Sequence, residues 1–124
     1  PPPPVQQPRI PIWVVGAWNR PKSLARAIKH DGILPNPMTP EGDHRPLTTD
    51  DARDIKAYVE ANRTETAPYD IIVEGTTPGN KPKKAAETVR GWANAGATWW
   101  IEALWNAPDA AAVRRRVEQG PPRI

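Results

Sequence analysis

The sequence predicts an α/β fold built on a parallel sheet, and three observations carry that reading. Short apolar runs and longer amphipathic stretches alternate four times along 124 residues, as in a chain of βα units. The short runs are apolar almost throughout, which is the pattern of strands buried on both faces. Each stretch between them is long enough to hold a helix that crosses back over the sheet. Right-handed crossovers then wind the sheet in one sense. Periodicity alone leaves two closures open, an open sheet and half of a closed barrel.

The first strand is expected at Ile10-Pro11-Ile12-Trp13-Val14-Val15, ending at Gly16, with Pro11 tolerated near its start or on an unpaired edge. After the turn Ala17 to Arg20, Pro21 suits a first helical turn, and Leu24, Ala27 and Ile28 recur at helical spacing up to His30. Asp31 to Pro35 reads as the second strand, followed by a loop rich in Pro, Gly and Asn from Asn36 to Pro46. Thr48, with Asp51 three residues on, forms a capping box in which aspartate replaces the usual Glu or Gln. The helix it opens lines up Ala52, Ile55, Val59 and Asn62, with Tyr58 beside them. Asp50, Asp51 and Asp54 sit near its N-terminus, where the helix dipole favours them. Tyr69 to Glu74, ending at Gly75, is the third strand. Pro82 opens a helix with the stripe Ala85, Ala86, Val89, Trp92 and Ala93, and Gly96 stands where a left-handed C-cap is expected. Ala97 to Leu104 is the fourth strand. Asn106 and Pro108 announce a last helix that buries Ala110, Val113 and Val117, carries Arg114, Arg115 and Arg116 toward its end, and stops at Gly120-Pro121-Pro122.

Composition narrows the function classes. A hydrophobic share of 38% with 25% charged residues fits one ordinary globular domain. Cysteine is absent, which removes disulfides, thiolate metal sites and cysteine nucleophiles, and fits a cytoplasmic location. No apolar run reaches the roughly 18 residues of a membrane span. Residues 1–9 read as a proline-rich linker and 10–124 as the folded unit, so the start on four prolines has the look of a cut within a longer protein. The net charge of +3 permits an anionic ligand, but the basic residues are scattered among acids, without the stripe and stacking aromatics of a nucleic-acid binder. Phenylalanine is absent and tryptophan occurs six times, so indole rings must supply the aromatic core. Trp13, Trp92 and one of Trp99 and Trp100 are its expected members. Dinucleotide, P-loop and hydrolase motifs are missing. His44 with Asp43 and Glu41 reads as a solvated loop in preference to a metal site, and no metal is expected.

The words "PRIPIWVVGAWNRPKSLARAIKHDGILP", "YDIIVEGTTP", "NAGATWWIEAL" and "RRRVEQGPPRI" resemble the C-terminal part of the luciferase-like flavin-dependent monooxygenases and oxidoreductases. The resemblance spans nearly the whole chain after the prolines, and "GATWW" followed by Glu102 is its most specific piece. It implies the C-terminal half of a parallel (β/α)8 TIM barrel with four βα units, binding FMN or the related deazaflavin coenzyme at the C-terminal mouth of its strands. The implied chemistry is hydride transfer or oxygen activation on a small organic substrate, carried by the flavin. Much of the cofactor cradle of that family lies in the other half of the barrel, so this piece alone would be inactive.

Residues just after the strands are then the cofactor-binding candidates. Gly16 allows close backbone approach, Trp18 lies beside it, Asn19 can cap the next helix, and Arg20 can face an anion. The plainer reading is a tight turn with Trp18 on the rim and Arg20 in solvent. Gly75, Thr76 and Lys81 form the second group. Lys81, Lys83 and Lys84 crowd a helix N-terminus against its dipole, at a cost of a few tenths of a kcal/mol each, which a bound phosphate would offset; otherwise the turn is simply basic and solvated. Glu102, a lone acid in an apolar strand, must reach the mouth or pair with a base, and Glu74 has the same logic. No catalytic residue is assigned.

Half a barrel leaves two strand edges unpaired and its inner face uncovered. Ile12, Val14, Ile72, Ile101 and one of Trp99 and Trp100 are expected on that face, and the missing N-terminal half or a second copy of the chain is expected to cover it. The reading of a different class is a stand-alone interaction or scaffold module without catalysis.

Overall fold

Alternation of strand and helix is complete in the computed structural model. It describes residues 2, 3 and 5–124; Pro1 and Pro4, at the proline-rich start, lie outside the described residues. The order is β1 (Trp13–Trp18), α1 (Pro21–Ala27), β2 (Gly32–Pro37), α2 (Thr49–Asn62), β3 (Asp70–Gly75), α3 (Pro82–Asn94), β4 (Trp99–Glu102) and α4 (Ala110–Glu118). The four strands form one parallel sheet in the sequential order β1-β2-β3-β4. Sequential order with right-handed connections carries every crossover over the same face. The helices therefore cover one side of the sheet.

Strand boundaries differ from the sequence reading for backbone reasons. β1 starts at Trp13, not Ile10, because Pro11 has no N–H and the Ile12 N–H is taken by the Asp31 carboxylate at 2.7 Å. It also runs through Gly16 to Trp18, and the turn is made instead by Asn19 at φ 60°. β2 runs two residues past Pro35, in register with β1 as far as Trp18↔Pro37. β4 is shorter than expected, four residues from Trp99 to Glu102. The capping box at Thr48 and Asp51 is present in both of its hydrogen bonds, and Gly96 takes the expected positive φ of 107°. Asp109, which the sequence reading passed over, caps α4 by accepting from the Ala112 N–H.

The core lies between sheet and helices. Leu24 and Ala27 of α1, Ile55 of α2, Ile33 of β2 and Ile71 of β3 form its centre, with Trp18, Tyr58 and Val59 packed against it. Val14 is the register partner of Ile33, so Val14, Gly16 and Trp18 face the helices and Trp13, Val15 and Ala17 face away. The same alternation puts Leu34 and Asn36, Ile72 and Glu74, and Trp99 and Ile101 on the face that no helix covers. Two assignments from sequence are thereby corrected. Val14 points into the helix layer and Val15, 58% exposed, takes the bare face; Ile12 precedes the strand altogether. Trp99 lies on the bare face, while Trp100 packs toward the helices against Gly75. The expected tryptophan core is also revised. Trp13, Trp92 and Trp100 are half-buried and Trp99 is 52% exposed, whereas the largest fully buried side chains are Ile33, Ile55, Ile72, Val73 and Thr77.

Indoles still matter, on the other side of the sheet. Trp13 of β1 and Trp99 of β4 meet with ring centroids 5.2 Å apart, although two strands separate them. Gly32 makes this possible: a Cβ there would sit 2.7 Å from Trp13 Cδ1, so only glycine leaves the indole room to lie across β2. Trp13 Nε1 then donates to Asp70 Oδ2 on β3 at 3.2 Å. Ile72, the register partner of Trp99, is buried although no helix covers it. If the two indoles act as a unit, Trp13→Ala and Trp99→Ala should be non-additive by about 1 kcal/mol in a urea-unfolding double-mutant cycle. Additivity within about 0.3 kcal/mol would show that the rings do not touch.

Candidate functional site

At the C-terminal ends of the strands, two carboxylates collect the connecting loops. Asp51, in the first turn of α2, accepts from the Thr48 N–H at 2.9 Å and Thr48 Oγ1 at 2.8 Å. It also accepts from Trp18 Nε1 at 3.0 Å and from both Arg45 Nη atoms at 2.7 Å. Its capping role was legible in sequence; its role in holding β1 and the loop after β2 to α2 was not. The Arg45 hydrogen bond is the chief reason its carboxyl lies well below the usual range, with the Thr48 bonds adding to it against the opposing effect of burial.

Glu102, at the end of β4, has the same kinds of donor. Thr77 Oγ1 donates at 2.8 Å and the Thr77 N–H to the other oxygen, Trp100 Nε1 donates at 3.0 Å, and Arg116 of α4 closes an ion pair at 3.2 Å. Burial opposes ionisation of Glu102, but the Thr77 and Trp100 hydrogen bonds and the Arg116 charge outweigh it and hold its pKa below the ordinary glutamate value. Pairing with a base, one of the two roles open to Glu102 in the sequence, is present, and Glu102 also lines a groove at the strand ends. Arg116 also donates to the Thr77 and Gly120 carbonyls, tying the loop after β3 to the C-terminal segment. Thr77, 1% exposed, and Arg116 were not read in the sequence as partners of Glu102. Thr77 lies 25 residues and Arg116 14 residues from Glu102, and no local pattern links them.

The remaining candidates are distributed around these anchors. Gly16 is buried on the helix face, where a Cβ would sit 2.6 Å from Ile33 Cδ1, and Gly75 packs in the same way against Trp100. Trp18 is half-buried between Asp51 and an edge-on Tyr58. Asn19 makes the turn by its positive φ and does not cap α1, whose N-cap Arg20 has no side-chain cap bond. Arg20 donates to the Thr39 carbonyl at 3.2 Å, bracing the loop after β2. Thr76 Oγ1 donates to the Ala103 carbonyl at 2.9 Å. Lys81 is the N-cap of α3 and, with Lys83 and Lys84, is exposed in a first turn without acids.

Gly75 and Thr76 meet the chain leaving β4 in a groove of about 520 Å³ lined also by Glu74, Leu104, Trp105 and Asn106. A second groove of about 690 Å³ continues over Ile101 and Glu102 to Val113 and Val117 of α4 and to Pro121. Trp105 is 82% exposed between them. Among the described residues, no group of three or more His, Asp or Glu is placed to hold a metal ion, and no helix is long and apolar enough to cross a membrane. No protein-family model, curated protein or solved structure matches this chain.

Asp51 gives a pH test. Its carboxyl is depressed in the folded state, so its stabilisation is complete above the unfolded pKa of about 4 and declines as pH falls from there toward the lower folded value. Asp51→Asn should cost roughly 2 to 3 kcal/mol in urea unfolding near neutrality. The gap to the native chain should narrow below about pH 4. A gap of constant size across that range would show that the charge of Asp51 is not what stabilises the fold.

Proposed function

We propose that this chain is the C-terminal half of a (β/α)8 barrel in a luciferase-like flavin-dependent oxidoreductase or monooxygenase, and that it contributes part of the mouth where FMN, or the related deazaflavin coenzyme, binds. One observation carries the reading. A parallel sheet in sequential order, with its crossovers over one side, leaves an apolar face bare, which is the inner wall of a barrel when four more strands continue it. A doubly wound sheet would reverse its strand order and cover both faces. The family is proposed on the resemblance of the stretches around Trp13, Ile71, Trp99 and Arg115 to those oxidoreductases.

The residues at the strand ends suit a flavin. The groove of Gly75, Thr76, Leu104 and Trp105 is of the size that holds ring cofactors, walled by apolar groups with one exposed indole for stacking. Lys81, Lys83 and Lys84 stand at the end of the loop that begins with Gly75 and Thr76, with positive charge for a phosphate. When bound, the isoalloxazine ring supplies the hydride or oxygen chemistry. The chain's own part is to stack, to exclude water along Leu104 and Trp105, and to keep the loops rigid through Glu102. The scaffold reading draws on a different observation: α4 buries no residue, and Val117 is 72% exposed beside Trp105, an apolar surface suited to another protein element.

Titrating FMN with the chain should change the flavin absorption band and quench its emission, and Trp105→Ala should weaken binding about fivefold, the equivalent of an aromatic contact worth roughly 1 kcal/mol. A flavin spectrum unmoved by a large excess of folded chain would favour the scaffold.

A further inference from the structure

β4 ends the sheet order β1-β2-β3-β4, so it has a strand neighbour on one side only. Just before it, the Thr98 N–H donates to the Ile71 carbonyl at 2.9 Å. By alternation along the strand, the N–H groups of Trp99 and Ile101 point away from β3. Such a row of free backbone groups invites another strand. Residues 120–124 lie along it.

The root of this segment is fixed at the C-terminal end of β4. Gly120 turns the chain at φ 75°, just past Gln119, the C-cap of α4. Its carbonyl accepts from Arg116 Nη1 at 2.6 Å, and the same guanidinium holds Glu102, the last residue of β4. Gln119 lies over Gly79, where a Cβ would collide with its side chain. Pro121 and Pro122 then line the groove of Ile101 and Leu104, and Ile124 lines a cleft with Thr98, Trp99 and Trp100. Trp99 and Trp100 point to opposite faces of the sheet, so a cleft lined by both lies over the strand's edge. Extended at about 3.3 Å per residue, residues 121–124 match the length of the four-residue β4. They run against it, from its C-terminal end toward its N-terminal end.

We infer that residues 120–124 form a strap over the free edge of β4, which must swing away about Gly120 before another strand can pair there. The segment covers the edge without joining the sheet. Pro121 and Pro122 have no N–H to give, and among the described residues no backbone hydrogen bond joins 121–124 to β4. A strand that continued the parallel sheet would run the opposite way and take the same place. Tethering holds the strap at the edge at an effective concentration on the order of millimolar, far above that of another chain at micromolar levels. Its far end is held loosely, with Ile124 68% exposed, so it can open. The strap itself needs neither the flavin nor the barrel; only its part in holding back barrel closure rests on the barrel reading.

The test uses the full chain. It has no cysteine, so Ile124→Cys takes a single bimane label, whose emission is quenched by an indole in contact with it. The label should be dim in the folded chain, beside Trp99 and Trp100, and brighten in denaturant. Pro122→Asp combined with Ile124→Asp sets charge against the apolar groove and cleft and should release the strap. In salt that screens the added charge, light scattering over a dilution series should show that variant self-associating at roughly tenfold lower concentration than the native chain, because a tethered competitor is gone. The uncharged pair Pro122→Ser and Ile124→Ser should act in the same direction, and circular dichroism checks that each variant folds. A label as bright in the folded chain as in denaturant overturns the strap. So does self-association that is no stronger in either variant. Association that stops at a dimer supports the strap and barrel closure together. Open-ended association supports the strap and counts against the barrel, so the two readings fail separately.

Discussion

The contact of Trp13 with Trp99 over Gly32 is the interaction on which the bare face depends. Without it, the first and last strands of the sheet would have no direct connection on that side, and Ile72 would be wet. Tryptophan is suited to the task because it brings a large apolar surface and one donor, and Trp13 uses both: its ring meets Trp99 and its Nε1 meets Asp70. Thr98 Oγ1 donates to the other Asp70 oxygen at 2.9 Å, so the chain entering β4 shares the same carboxylate. This ties together the N-terminal end of the sheet. The C-terminal end is left for the loops.

Those loops are organised by charge. Asp51 and Glu102 each take a tryptophan N–H, a threonine N–H and hydroxyl, and an arginine. A carboxylate with that many donors stays ionised despite its partial burial, and the loops that supply the donors lose their freedom. Rigid loops over an apolar wall are what a binding mouth requires, because affinity lost to ordering is then small.

The alternation of strands and helices was legible because it rests on periodicity and on local punctuation: Pro21 and Pro82 at helix starts, the Thr48–Asp51 box, Gly96 at a helix end. Strand edges were less so. Asn36 and Pro37 read as loop residues, yet both lie within β2, because a register partner across the sheet outweighs local preference. Which face each residue takes was missed at Val14 and Val15, since a run apolar on both faces carries no parity signal. The site was legible only as single residues. Glu102 was marked as a charge in need of a partner, but Arg116 sits on another element, and the arginines of α4 read equally well as complements to its dipole. Sequence spacing offered His44 no metal partner, and its contact with Asn36 came into range only through the fold-back of the loop.

The account turns on whether the uncovered sheet face is a surface made to be covered. Val15 and Trp99 lie on it exposed and Ile101 half-buried, with Ile72 buried among them, and each large side chain left wet forfeits roughly 1.5 to 3 kcal/mol. Both outer strands also present unpaired backbone groups. Size-exclusion chromatography with light scattering at micromolar concentration measures this most directly. The half-barrel account predicts self-association, with a mass above the 13.7 kDa of a single chain, resolved when the complementary strands are supplied. A well-behaved monomer of 13.7 kDa that unfolds cooperatively would contradict it and return the sheet to an open two-layer form.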